Sequence, residues 1–108
     1  MTANFWNKGE IIDYKNTGNT MIDAGEIVKL NNARIGIAGC PINPDEIGSV
    51  HVTGVWEIKK VESEAIGLGA NVYYSDTGIT ATVGSNIPAG WCIRQAKAED
   101  KTILVKVG

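Results

Sequence analysis

Few side chains in this 108-residue chain could do acid–base or nucleophilic chemistry, and His51 is its sole histidine. Ser49 and Thr53 stand two residues either side of His51, so the three side chains would share one face of a strand. A histidine beside a hydroxyl can act as the base that activates a nucleophile. No nucleophile-elbow sequence accompanies the trio. We therefore interpret His51 as a strand histidine satisfied by a neighbour or by water.

Carboxylates and thiols give no stronger signal of catalysis. Glu62, Glu64 and Asp13 could be arranged for acid–base work, but such charges on a small domain usually form a solvated face. Cys40 and Cys92 lack Cys-x-x-Cys spacing, and in a reducing compartment we interpret them as small buried hydrophobes. A metal site would need further cysteine or histidine ligands. We expect no catalytic residue, no metal ion and no cofactor.

Phosphate and nucleic-acid binding are disfavoured by the sequence. No Gly-Lys dipeptide occurs, so a Walker-type loop is missing, and 36–39 and 67–69 lack the dinucleotide-binding spacing. The net charge is −2, and the adjacent pair Lys59 and Lys60 is flanked by Glu57 and Glu62. Nucleic-acid binding depends on clustered cations. We expect no nucleic-acid partner.

Membrane and export signals are not found either. No run approaches the ~20 apolar residues that span a bilayer, and residues 1–8 lack the basic and apolar regions of a signal peptide. We expect a chain that is made in the cytoplasm and has no membrane partner.

Thirteen glycines divide the chain into short segments typical of β-strands. Asn31-Asn32 and residues 76–78 are suited to hairpin turns, residues 88–90 to a turn, and residues 61–66 to one short helical turn. Together these patterns predict one all-β domain, an antiparallel barrel or sandwich, at residues 9–108 behind an arm at 1–8. We detect no internal repeat. The predicted strands are 10–14, 26–30, 34–38, 48–59, 72–75, 79–83, 90–94 and 102–107.

The long segment 48–59 alternates between apolar and polar residues, with Val50, Val52, Trp56 and Ile58 at even positions. Such alternation predicts one buried and one wetter face. Gly54, followed by the out-of-pattern Val55, predicts a bend or bulge where the strand changes its partner or its sheet.

The aromatic residues provide the candidate interface. Phe5 and Trp6 precede the first strand, and we expect them to pack on the core or a subunit, or otherwise to anchor the chain on a partner.

Two tryptophans and an adjacent pair of tyrosines lie in the predicted strands. Trp56 and Trp91 should belong to the core. Tyr73 and Tyr74 should point to opposite faces, so we expect one of them to be exposed or interfacial. The candidate interface residues are Phe5, Trp6, Tyr73 and Tyr74.

Seven segments, in order along nearly the whole chain, resemble the phage capsid cement or head decoration family. They are GEIIDY (9–14), IDAGEIV (22–28), RIGIA (34–38), EIGSVHVTGVWEI (46–58), IGLGANVYYS (66–75), AGWC (89–92) and ILVKV (103–107). The resemblance implies a non-enzymatic, β-rich virion protein that binds the outside of an assembled phage or prophage capsid, often as a homotrimer. Its main partner would be the major capsid protein lattice.

Some members of this family carry a recombinase label, which the missing Walker loop contradicts. The chain departs from more usual members at Cys40, Cys92, Trp56 and Tyr74. Two other functions stay open from the residues alone. One is a small binding module for a sugar or peptide that uses Tyr73 and Tyr74, and the other is an accessory factor in DNA transactions.

Overall fold

The computed structural model describes residues 1–108, which form nine β-strands and no helix. The all-β prediction is confirmed. The strands form two antiparallel sheets, of order β1-β4-β3-β2 and β5-β9-β8-β6-β7, which pack as a sandwich and are not closed into a barrel. The strands are β1 (Ile11–Lys15), β2 (Ile27–Leu30), β3 (Arg34–Ala38), β4 (Ile47–His51), β5 (Gly54–Lys59), β6 (Asn71–Ser75), β7 (Gly78–Thr80), β8 (Ile87–Cys92) and β9 (Thr102–Val107).

The predicted long strand 48–59 is two strands that belong to different sheets. β4 ends at His51 in the first sheet, and β5 begins at Gly54 in the second. Gly54 has a φ of 113°, which L side chains rarely adopt, so glycine lets the chain turn here. The predicted change of sheet at this residue is confirmed.

Both predicted hairpins form, but the loop of the second contains only Asp76 and Thr77, because Gly78 already pairs with Ser75 as part of β7. Two other local predictions are wrong. Asn31 and Asn32 take positive φ of 54° and 56° between β2 and β3. Residues 61–66 contain a turn and no helical turn, because Ser63 has a positive φ of 59° that breaks a right-handed helix. Residues 88–90 lie within β8, where Pro88 and Ala89 form part of a bulged pairing with β6.

The structure contains an internal repeat that we did not detect in the sequence. In the first half the strand order is β1-β4-β3-β2, and in the second half β5-β9-β8-β6 follow the same order and directions. The registers also match, so each first-half pair has a second-half counterpart. Matching pairs are Ile11–His51 with Val55–Lys106, Ile37–His51 with Trp91–Lys106, and Val28–Gly36 with Val72–Gly90.

The loops repeat as well. Ile22 and Ile42 exchange two backbone hydrogen bonds of 2.9 and 2.8 Å ahead of β2 and β4. Ile66 and Ala96 make the same pair of bonds ahead of β6 and β9, at 2.9 and 2.8 Å. The two halves are therefore copies of one supersecondary unit.

β7 has no counterpart in the first half. It pairs with β6, and its Ile79 makes a parallel bridge to Lys60, next to the end of β5. Ile79 is fully buried. This extra strand covers the β6 edge of the second half, while the corresponding β2 edge of the first half stays free.

Each sheet has a core face and a back face. The core face of the first sheet carries Val28, Ala38 and Val50, which join Ile42 in a small cluster. The core face of the second sheet supplies most of the main cluster, and the back face of the first sheet adds Ile35 and Ile37 to it. The first half of the chain therefore packs the back face of its sheet against the core face of the second half's sheet. Ile103, Val105 and Val107 of β9 share the core face of the second sheet, and all three are buried.

Candidate interaction surface

The trio around His51 is not arranged as a nucleophile and its base. The half-buried imidazole makes no side-chain hydrogen bond to Ser49 or Thr53, and the Thr53 hydroxyl instead accepts a 3.3 Å bond from the Lys106 ammonium. The His51 ring packs against the Trp56 indole, with 5.4 Å between the ring centroids. Its visible role is to join the two sheets.

The carboxylates considered for acid–base work have separate structural positions. Glu64 Oε1 accepts hydrogen bonds from the Thr80 hydroxyl at 2.8 Å and the Ala81 amide at 3.0 Å, which fixes the end of β7. Glu62 lies in the exposed turn after β5, and Asp13 lies on exposed β1 of the other sheet. The structure does not build a carboxylate pair from them.

Both cysteines are free, and they differ in environment. Cys92 is buried in the main core, where its thiol donates to the Arg94 carbonyl at 2.8 Å, while Cys40 is half-buried. No group of three or more His, Cys, Asp or Glu side chains is placed to hold a metal ion. The structure has no helix that is long and apolar enough to cross a membrane.

The N-terminal aromatics do not pack on the core. Phe5 is 85% exposed and Trp6 91% exposed, in a segment without strand pairing. The expectation that they plug the core of their own chain is therefore wrong, because the open end of the main core is occupied by the back face of the first sheet. Packing on another subunit or on an outside partner remains a prediction.

The strand aromatics divide between the two faces of the second sheet. Trp56 and Tyr74 are half-buried and pack against the main core. Tyr73 lies on the back face, as alternation predicts, but it too is half-buried. Trp91, which we predicted to be core, is 43% exposed on this back face. Alternation assigns a side chain to a face, but it does not tell whether that face is covered.

The back face of the second sheet is an uncovered apolar surface. Val55, 51% exposed, and Trp91 lie opposite Lys106 on either side of β9, so the three form one row across the sheet. Half-buried Leu104 and Tyr73 flank this row. We call these five residues the Trp91 face. Exposed apolar patches on small proteins commonly mark interaction sites.

A second, partly apolar surface lies at the open side of the first half, where that half meets the second. A groove of about 750 Å³ is lined there by the first-half residues Ile12, Leu30 and Val52 and by second-half residues that include Pro88, Gly90 and Val107. Lys8 and Gly9 also line it, so the N-terminal arm leaves the domain beside the groove. We call this surface the Ile12 groove. Of these two surfaces, sequence reasoning identified only Tyr73 of the Trp91 face, because the repeat that defines both surfaces was not recognised.

Comparison with known proteins gives one match. Residues 6–107 match a family described as phage cement protein, so the match includes Trp6 and all nine strands. No curated protein and no solved structure matches the chain.

Proposed function

Because the chain belongs to the phage cement protein family, we propose that it is a non-enzymatic virion protein that binds the outside of an assembled capsid and stabilises it. The observation that carries this proposal is the family match over residues 6–107. The apolar surfaces described above support it, since adhesion requires surface and not a reactive cleft. The protein would be made in the cytoplasm of a bacterial host and would act on the virion of a phage or prophage.

The mechanism is mass action. A protein that binds the assembled lattice and not the separated subunits stabilises the lattice by its binding free energy. A specific interface buries roughly 800 Å² per partner. A site formed by several neighbouring capsid subunits would be complete only on the shell, so that binding would begin once the shell has assembled.

We assign capsid contact to the arm at residues 1–8. Phe5 and Trp6 are the most exposed aromatic side chains of the chain. Burying a large apolar side chain contributes about 1.5–3 kcal/mol, so two of them on one short segment could supply much of a hot spot. Chain termini are commonly mobile until tied down, and the capsid would then order the arm.

We propose a homotrimer as the unit that binds, in keeping with the resemblance. Of the four candidate interface residues, Phe5 and Trp6 are assigned to the capsid and Tyr73 to contact between copies. Tyr74 packs against the main core, and we assign it to the packing between the two halves of its own chain.

The alternative functions receive less support from the geometry. Tyr73 and Tyr74 lie on opposite faces of β6 and do not line one pocket, as a sugar or peptide module would require. A DNA-transaction factor would need clustered cations, which a chain of net charge −2 with dispersed lysines does not offer. Salt-sensitive retention of DNA in a filter-binding assay at low salt would favour the DNA-transaction function over capsid binding.

Co-sedimentation with purified phage heads tests the proposal. The full chain should pellet with expanded heads of its own phage and remain in the supernatant without them. Phe5→Ala and Trp6→Ala together should weaken binding at least tenfold while the unfolding midpoint is unchanged. Val83→Ala, at another exposed apolar position, is the matched control and should bind normally. If the full chain fails to pellet with expanded heads, the proposed function is wrong; undiminished pelleting of the double variant removes the arm from it.

A further inference from the structure

The repeat shows how one half of this chain covers the other. The back face of the first sheet, through Ile35 and Ile37, joins the main core of the second half, and β3 packs against β8. On the same back face, the Lys29 ammonium lies 5.9 Å from the centroid of the Tyr74 ring. The open side of the second half is thus covered by the back face of the first.

Two surfaces are left without such a contact: the back face of the second sheet, which is equivalent to the covering face, and the core-face edge of the first sheet, which is equivalent to the covered one. By register, Trp91, Tyr73 and Lys106 on the Trp91 face correspond to Ile37, Lys29 and His51 on the back face of the first sheet. Ile12, Leu30 and Val52 in the Ile12 groove correspond to Trp56, Tyr74 and Val107. One chain therefore has a free covering surface and a free surface to be covered.

We propose that the Trp91 face of one copy covers the Ile12 groove of a second copy, repeating between chains the packing that joins the two halves within a chain. By equivalence, Tyr73 would contact Leu30 of the second copy, as Lys29 contacts Tyr74. Lys106 would likewise lie against Ile12, as His51 lies against Trp56.

The side-chain sizes support this pairing. Within the chain, the bulky Trp56 and Tyr74 meet His51 and Lys29 of the first back face. Between chains the groove has the smaller Ile12 and Leu30 in the places of Trp56 and Tyr74, while the covering face has the larger Trp91 and Tyr73 in the places of Ile37 and Lys29. A close-packed interface needs matched volume on the two sides, and the bulkier covering face compensates for the smaller groove residues.

The proposed interface joins two different surfaces of the same chain and is therefore heterologous. Heterologous contacts form a ring when the rotation closes and a filament when it does not. We expect closure, which would give a discrete oligomer in which each copy contributes two similar units. This inference deepens the proposed homotrimer by naming its surfaces, but its test contains no capsid and is separate from that of the proposed function.

A mixing experiment tests the pairing. Trp91→Glu places a charge on the covering face, and Ile12→Glu places one in the groove; both positions are at least 38% exposed in the single chain, so the variants should fold. Sedimentation velocity should show a discrete oligomer for the wild type and a monomer for each variant. The two variants mixed should form a one-to-one dimer, because the mixture restores one intact pair of surfaces. Val83→Glu, exposed and outside both surfaces, should keep the oligomer.

Three results would overturn the inference. They are a wild-type chain that stays monomeric up to millimolar concentration, a mixture of the two variants that stays monomeric, and open-ended filaments in place of a discrete species. A second control addresses the N-terminal arm, which leaves the domain beside the groove. Deletion of residues 1–8 should leave the oligomer intact, and its loss would show that the arm fills the groove instead.

Discussion

The imidazole of His51 and the indole of Trp56 lie 5.4 Å apart and are inclined at 48°, across the point where the chain passes from the first sheet to the second. Trp56 also donates its indole N–H to the Thr53 carbonyl at 3.1 Å. The connection between the sheets is therefore held by an aromatic contact and one hydrogen bond. The loss in free energy of unfolding when this contact and this hydrogen bond are removed can be measured.

Trp56→Leu should destabilise the chain by about 1–3 kcal/mol, because it removes the ring contact, the hydrogen bond and part of the core packing. Urea unfolding at neutral pH measures this loss. Trp6→Leu, which changes the same residue type at an exposed position, should stay within about 0.5 kcal/mol of the wild type. Equal stability of the two variants would show that the indole does not join the sheets.

Lys60 should be necessary for stability, although lysine is rarely a core residue. It is buried, and its ammonium donates to the carbonyls of Val61, Glu64 and Ala98 at 2.8, 2.6 and 3.3 Å. Lys60→Met should cost roughly 2–3 kcal/mol, since the buried carbonyls lose their donor. Lys59→Met, at the exposed neighbouring position, should have little effect in the same chemical denaturation experiment. A stable Lys60→Met protein would contradict this role.

The repeat gives Lys60 a counterpart in Asn16. Asn16 is also buried, follows the first strand of its half, and donates its amide to the carbonyls of Thr20 and Ile42 at 2.8 and 2.9 Å. An amide and an ammonium thus satisfy the carbonyls of equivalent loops. Asn16 and Lys60 share the role of donating hydrogen bonds to loop carbonyls although they are different residue types. A comparison of the amino-acid sequences of the two halves therefore does not reveal this shared role.

Much of the fold could be predicted from the sequence wherever local pattern determines it. The bounds of β3 and β9 were predicted correctly, and the change of sheet at Gly54 followed from a break in alternation. The repeat was missed although residues 22–28 and 66–72 share the pattern Ile-x-x-Gly-x-x-Val, because the pattern is short and because β7 and its loops change the spacing of the later strands. The exposure of Trp91 depends on which sheet faces are covered, which is a tertiary property.

The two cysteines should react at different rates with a thiol reagent. Cys40 is half-buried, whereas Cys92 is buried in the main core with its thiol bonded to the Arg94 carbonyl. Under native conditions we expect Cys40 to react first, and Cys92 to react at the rate at which the protein opens. Mass spectrometry of timed samples, with Cys40→Ser as the control, resolves the two. Rapid modification of Cys92 in the folded protein would contradict the packing of the second half.

Gly90 should be the glycine least tolerant of substitution. Its φ is 132°, and a Cβ at this position would collide with the backbone carbonyl oxygen of Lys106 on β9. A backbone neighbour cannot move aside as a flexible side chain can, so Gly90→Ala combines conformational strain with a clash and should cost more than about 2 kcal/mol. Gly69→Ala provides the matched control: its φ is 85°, but no atom lies within 4 Å of the added Cβ. It should cost about 1–2 kcal/mol from strain alone.

Thermal unfolding of the two variants compares their stabilities directly. If Gly90→Ala were the more stable of the two, the close approach of β8 and β9 would be wrong, and with it the register that places Trp91 beside Lys106.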